Sequence, residues 1–194
     1  MKYHQYVFNT KKRAFVGKFE QMYFNETKEN YDSWFQEDIS KLKYAISLNI
    51  LNQYNFNSIL DLGCGKSAFT NLLKKKNNKV LGIDISKTAI KKAKSKYPTI
   101  QFKVLSTNKI PSLNKKFDLV VVMDLLSYIK NWKELINNIS HITKYIFVLL
   151  FIPKNPIGFV KSFEDLSEEV EKYFTIITKI INETENSIMI LAGK

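Results

Sequence analysis

A chain of 194 residues can bury one good core and is too short for two comfortable ones. With 45% hydrophobic and 25% charged residues it is globular rather than disordered. No run reaches the length of a membrane-spanning helix, and Met1-Lys-Tyr-His-Gln does not have the form of a signal peptide. The formal charge is +12, yet Arg13 is the only arginine, so the residue best suited to bidentate phosphate and base contacts is nearly absent. The lysines are spread along the chain (Lys11-Lys12, Lys74-Lys75-Lys76, Lys91-Lys92, Lys115-Lys116) and read as a solvated basic surface, with a working anion-binding face as the alternative. One cysteine, Cys64, excludes an internal disulfide and fits a reducing compartment, so the cytoplasm is expected.

In chain order, residues 1–34 are rich in aromatics without a sustained period and read as an irregular or partly helical lead-in. From Phe35 to Asn52, apolar residues at Ile39, Leu42, Ala45, Ile46 and Ile50 have helical spacing. Alternation follows: a strand at Ser58–Leu62, a helix at Ala68–Lys76, a second strand at Lys79–Asp84, and a helix over Ser86–Lys96 with Ser86 as its N-cap and the Tyr97-Pro98 break as its end. Ile100–Leu105 is a third strand. Phe117–Met123 is a fourth, apolar without alternation as in the centre of a parallel sheet. A helix at Asn131–His141, a fifth strand at Tyr145–Ile152 and a helix at Phe163–Lys172 come next. Phe174–Ile181 and Ser187–Leu191 form a hairpin across a polar turn, adding an antiparallel strand at one edge. The pattern predicts an α/β sheet covered on both faces, in a single domain with an N-terminal helical segment (1–56) and a core (57–194).

The stretch Asp61-Leu-Gly-Cys-Gly-Lys-Ser67 directly after the first strand admits three cofactors. A nucleoside-triphosphate loop needs a glycine where Leu60 stands, so that reading fails. Gly63, Gly65 and Ala68 have dinucleotide spacing, with Asp84 ending the next strand. That motif, however, cradles a pyrophosphate on backbone N–H groups, and Asp61 at the strand tip would repel it. S-adenosylmethionine carries no phosphate and has a sulfonium and an ammonium, so the same carboxylate becomes favourable. Gly63 and Gly65 let the backbone approach, and Asp84 can accept both ribose hydroxyls.

The ordered set ILDLGCGKSAFTNLL, VLGIDIS and FDLVVVMDLLSYI resembles the class I S-adenosylmethionine-dependent methyltransferases over residues 57–194. The resemblance implies a Rossmann-like, seven-stranded, mostly parallel sheet of order 3-2-1-4-5-7-6, with the terminal hairpin supplying strands six and seven. It implies contacts from Asp61, Gly63 and Gly65 to the methionine end of the cofactor, from Asp84 to the ribose and from Ile85 to the adenine. Met123, at the end of the fourth strand, belongs to the same cofactor set. Where the family often has an acid for the adenine amino group, this chain has Ser106, with Thr107 and Asn108 as further candidates. Tyr128 stands where a histidine is common. Residues 31–48, taken with Leu125-Leu-Ser-Tyr-Ile129, are similar to nodulation-type N-methyltransferases of amino sugars.

Asp124 lies just past the fourth strand, where a parallel sheet presents working groups; the alternative is a cap on the next helix. Asp124 and Tyr128 are the candidate catalytic residues, to take a proton from the acceptor or orient it. Cys64 is a small filler in the turn, His141 a surface residue, and His4 part of the tail. Tyr23, Tyr31, Trp34 and Phe35 form either an aromatic lid or simple packing, and Asn155–Phe159 is the loop leaving the fifth strand. No metal is expected. The expected function is methyl transfer from S-adenosylmethionine to an oxygen or nitrogen of a small polar acceptor, such as a sugar or nucleotide-sugar, without membrane partners. The alternatives are a nucleic-acid methyltransferase or binding protein, and a non-catalytic partner subunit of the same fold.

Overall fold

The structure, a computed structural model, describes residues 3–194; Met1 and Lys2, the start of the expected lead-in, lie outside the described residues. The lead-in is more regular than its sequence suggests. A short helix α1 (His4–Val7) runs into a small hairpin, β1 (Phe8–Asn9) against β2 (Ala14–Phe15), and then into an 11-residue helix, α2 (Phe19–Glu29). The helix expected from Phe35 starts only at Leu42, as α3 (Leu42–Leu51). A tight turn at Ser33–Phe35 precedes it, in which Trp34 and Phe35 take φ of 56° and 51°. A right-handed helix cannot include such residues.

The core alternates as expected: β3 (Ser58–Leu62), α4 (Ala68–Leu73), β4 (Lys79–Asp84), α5 (Lys87–Lys96), β5 (Gln101–Val104), β6 (Phe117–Met123), α6 (Trp132–Ser140), β7 (Thr143–Phe151), α7 (Phe163–Glu171), β8 (Thr175–Asn182) and β9 (Ser187–Gly193). Ser86 is the N-cap of α5, its Oγ accepting the Ala89 N–H at 3.0 Å. The sheet order is β5-β4-β3-β6-β7-β9-β8; counted from β3 as the first strand, this is the expected 3-2-1-4-5-7-6. The terminal hairpin lies at one edge of the sheet as expected: β9 runs antiparallel to β7 and inserts between β7 and β8, and β8 is the edge strand.

Both faces of the sheet are covered because successive side chains of each strand point to opposite sides. Leu60, Leu62, Val120, Val122, Val148 and Leu150 pack with Ile136 and Ile139 of α6 and Leu166 and Val170 of α7. Ile59, Leu119, Val121, Phe147 and Leu149 pack with Leu51 of α3, Phe69 of α4 and Ile90 of α5. A third, smaller cluster joins Tyr3, Tyr6, Met22 and Tyr23 of the lead-in to Ala89 of α5, with Trp34 and Tyr128 packed against it. Among the described residues no helix is long and apolar enough to cross a membrane.

The arrangement sets where chemistry can occur. β3 lies between β4 and β6, so the chain runs outward on one side through β4 and β5 and returns to start β6 on the other. The crevice at the C-terminal ends of β3 and β6 is the switch point at which open parallel sheets bind ligands.

Candidate cofactor and acceptor site

At that switch point lies a cavity of ≈ 310 Å³, lined from below by Asp61, Gly63, Asp84, Ser106, Met123 and Asp124 and from above by residues of the lead-in. Each strand end delivers one carboxylate: Asp61 from β3, Asp84 from β4, and Asp124 just past β6.

The glycine turn is folded against β4. Gly63 N–H and Cys64 N–H donate to the Ile83 carbonyl at 2.8 and 3.0 Å, Gly65 N–H donates to Asp84 Oδ2 at 3.0 Å, and Ser67 N–H donates to the Cys64 carbonyl at 2.9 Å. Lys66 N–H donates to Gln36 Oε1 at 2.8 Å. Every N–H from 63 to 67 therefore has an acceptor, and none remains to cradle a pyrophosphate, which is what a dinucleotide requires. Lys66 is also no phosphate ligand, because its ammonium is held by Asp32 at 2.5 Å and Glu26 at 3.2 Å. Gly63 has φ of +70°, and a Cβ there would lie 2.8 Å from a Leu125 methyl, so glycine is required both by conformation and by space. Gly65, at φ +53°, is outside the lining; a Cβ on it would strike Gln36 and the Tyr23 hydroxyl of the lead-in at 2.5–2.6 Å.

The electrostatics favour a cationic ligand. Asp61 accepts the Thr70 hydroxyl at 2.6 Å, and Asp84 accepts Ser86 N–H at 2.8 Å and Gly65 N–H at 3.0 Å. Among the described residues neither has an ion-pair partner. Burial accordingly pushes Asp61 up to about 7 and Asp84 up to about 6, against the pull of those hydrogen bonds. The folded chain thus holds these protons more tightly than the unfolded chain. This contribution to stability is full below the ordinary carboxylate value and lost as pH rises through about 6 to 7. A bound cation reverses the balance by favouring both ionised forms. Affinity for S-adenosylmethionine should therefore rise between pH 5.5 and 8, by about fivefold or more, with proton release at the lower pH. Calorimetry in buffers of different ionisation enthalpy would measure both, and a flat pH profile would show that these carboxylates do not face the cofactor's charge.

Asp124 differs from the other two. Its backbone φ is +48°, its Oδ1 accepts Phe151 N–H at 3.0 Å, and its Oδ2 is 2.5 Å from the ammonium of Lys43 on α3. It does not cap the following turn, whose N-cap, Leu125, makes no side-chain cap bond. Of the lining residues Lys43 alone is basic, and sequence reading did not single it out. Tyr128 also lines the cavity; burial, with the nearby charge of Asp124, pushes its hydroxyl up, so it stays protonated and serves as a donor or a ring face. Phe15, Phe19 and Trp34 lie 6.3, 5.5 and 5.9 Å from the Tyr128 ring, ring centre to ring centre, and complete an aromatic wall. Phe15 and Phe19 are a second set that sequence reading missed.

The remaining candidates fall as follows. Ile85 lines the cavity and is 59% exposed at its mouth. Ser106 and Thr107 line the cavity, whereas Asn108 is exposed and outside the lining. Burial pushes the Cys64 thiol well up, which suits a filler and not a nucleophile. His141 ends α6 at the surface, and His4 lies in α1. In the loop after β7, Phe159 N–H donates to the Ser127 carbonyl at 2.9 Å, and Asn155 Oδ1 accepts from the Arg13 guanidinium at 2.7 Å, so the sole arginine ties the small hairpin to this loop.

Fold, motif order and pocket chemistry are those of class I S-adenosylmethionine-dependent methyltransferases. The family model for the methyltransferase domain matches residues 59–145. A putative methyltransferase, 235L, of Invertebrate iridescent virus 6 is 34% identical over 110 residues, which are 54% of this chain and 41% of that protein. The chain thus spans about two fifths of the length of this curated relative. Among solved structures, the N-methyltransferase NodS of Bradyrhizobium japonicum WM9 in complex with S-adenosyl-L-homocysteine is similar at TM-score 0.77 and 16% identity, over 91% of this chain and 98% of that one. Magnesium protoporphyrin IX methyltransferase of Synechocystis PCC 6803 with bound S-adenosylmethionine is similar at TM-score 0.65 and 18% identity, over 82% and 79%. At these identities the likeness is one of fold.

Proposed function

We propose that the chain transfers a methyl group from S-adenosylmethionine to an oxygen or nitrogen of a small polar acceptor, a sugar or nucleotide-linked sugar. The observation that supports a small acceptor is the cover over the strand ends. Residues of the N-terminal segment (Phe15, Phe19, Trp34, Lys43) cover the cavity of ≈ 310 Å³ from above, which suits a small acceptor better than a polymer strand. The lead-in then acts as a lid on the core rather than as a separate unit.

S-adenosylmethionine, the cofactor of this site, supplies an electrophilic methyl group on a sulfonium. Asp84 would hold the ribose hydroxyls, having further lone pairs beyond those that Gly65 and Ser86 use. Asp61 would attract the positive methionine end, Gly63 would let the backbone approach it, and Gly65 would keep the turn in shape. Ile85, Ser106, Thr107 and Met123 would surround the adenine and the cofactor's middle. On the acceptor side, Asp124 would accept the proton that the acceptor's O–H or N–H loses, with Lys43 balancing its charge. Tyr128 would donate a hydrogen bond. Most of the rate comes from holding the acceptor atom in line with the methyl group inside a water-poor pocket.

Two measurements test this. Calorimetry with S-adenosylmethionine and with NAD should give binding for the first only. Methyl transfer from labelled S-adenosylmethionine to nucleotide sugars, RNA and DNA, at low and physiological salt, should label the sugars. Label entering RNA or DNA at physiological salt, with none in the sugars, would overturn the small-acceptor reading.

A further inference from the structure

Lys66 follows the glycine turn, and nothing in the proposed chemistry uses its side chain. That side chain is 7% exposed and lies among three carboxylates of the lead-in: Asp32 at 2.5 Å, Glu26 at 3.2 Å and Glu37 at 3.8 Å. Glu26, itself 4% exposed, also pairs with Lys92 of α5 at 2.6 Å and accepts Ser33 N–H at 3.0 Å. Lys96 of α5 reaches Glu37 at 3.4 Å. Three acids of the cover thus meet three lysines of the core. Lys66 is at the centre, because it alone comes from the turn that lines the cofactor cavity. The backbone repeats the link: Gln36 accepts Lys66 N–H and donates to the Tyr23 hydroxyl at 2.9 Å, and both side chains rest on Gly65, whose N–H holds Asp84. A continuous path therefore runs from the cover through Gln36, Lys66 and Gly65 to the Asp84 carboxylate.

We propose that Lys66 is a positioning residue that latches residues 19–37 over the cofactor turn, and that the cofactor enters and leaves when this latch opens. The inference rests on the S-adenosylmethionine reading of the pocket. The physical reason is asymmetry of loss. A buried ammonium and a buried carboxylate are tolerable only together, so removing one leaves the other desolvated and drives the cover open toward water. Closed, the cover carries Phe19, Tyr23 and Trp34 against the cavity; opening would free Lys66 N–H from Gln36 and uncover Gly65, whose N–H holds Asp84.

The test reads exchange, not catalysis. S-adenosylhomocysteine dissociation is followed by chase with excess unlabelled ligand in wild type, Lys66→Met, Asp32→Asn and the double variant, each first checked by thermal melting. Lys66→Met is expected to release the ligand about tenfold faster or more, the scale of one partly buried ion pair, with Asp32→Asn faster than wild type by less. The double variant should be no faster than Lys66→Met alone, because both changes break one latch. In parallel, chymotrypsin should cut the liganded variants faster than liganded wild type at Phe24 and Phe35, which are 71% and 51% exposed. Dissociation rates within twofold of wild type in both single variants, or additive effects in the double variant, would overturn the latch. If Lys66→Met does not fold, Asp32→Asn decides alone, through its dissociation rate and its cleavage. Wild type that binds no S-adenosylhomocysteine would instead overturn the cofactor reading and the latch with it, an outcome recognisable before any variant is made.

Discussion

Replacing Asp84 by alanine is expected to weaken S-adenosylhomocysteine binding about 10- to 100-fold, from the loss of roughly 1.5–3 kcal/mol in charge-assisted hydrogen bonds to the ribose. The free protein should melt within a few degrees of wild type at pH 7.5, because two effects oppose. The variant leaves Gly65 N–H and Ser86 N–H without their carboxylate. It also removes a buried charge that burial disfavours, as the rise of its pKa to about 6 records. Asp84→Asn separates the two roles: one carbonyl can still accept one of the backbone N–H groups, but the second acceptor and the charge are gone. Binding should therefore fall nearly as far as in the alanine variant. Unchanged affinity in both variants would make Asp84 a purely structural anchor of the turn.

The second large effect is expected on rate. Asp124→Asn should lower kcat about 100-fold or more if Asp124 takes the acceptor's proton, since positioned acid–base groups contribute about 10²- to 10⁴-fold. Cofactor affinity should change little if, as proposed, Asp124 faces the acceptor, where Phe151 N–H and Lys43 hold its carboxylate. Lys43→Met would then leave the carboxylate unpaired and should lower kcat as well, with a shifted pH–rate profile. For an amine acceptor the wild-type rate should rise with pH as the amine loses its proton. Equal losses of kcat and cofactor affinity in Asp124→Asn would move this residue to the cofactor side.

The Asp124–Lys43 pair marks the boundary of what could be read in advance. The strands were legible because each is a short apolar run whose neighbours cover both faces, so local composition already carries the burial: Phe117–Met123 needs no distant partner to be recognised. The turn after Leu62 was legible because two glycines, an acid before them and an acid at the next strand end form a local pattern in which the carboxylate at the strand tip decides among three cofactors; the structure gives both glycines positive φ. The cap of α5 was legible for the same reason, a serine acting three residues ahead of itself.

The lead-in was not legible. Helix α2 buries Met22 and Tyr23 but also Glu26, and a buried glutamate breaks an apolar period unless its partners, Lys66 and Lys92, are known. The start of α3 was misplaced because Trp34 and Phe35 are held in left-handed backbone, and no local propensity announces that. The strand inserted beside β7 was expected from the family resemblance, not from its own residues. A hairpin can be read from two apolar runs and a turn, but which of its strands pairs with the sheet depends on the facing surface, here Tyr145–Phe151 against Ser187–Gly193.

What the residues carried alone, then, was everything set within a few positions of the chain: the strand and helix alternation, the glycine turn, the acids at the strand tips and hence the cofactor. What required the folded chain was everything set by pairs far apart in sequence. Lys43 meets Asp124 across 81 positions, Lys66 meets Asp32 across 34, and Phe15, Phe19 and Trp34 meet Tyr128 to close the cavity. Such pairs are chosen by desolvation: a charge or ring taken from water must find its complement in the fold, and one chain segment does not disclose which complement the others will bring.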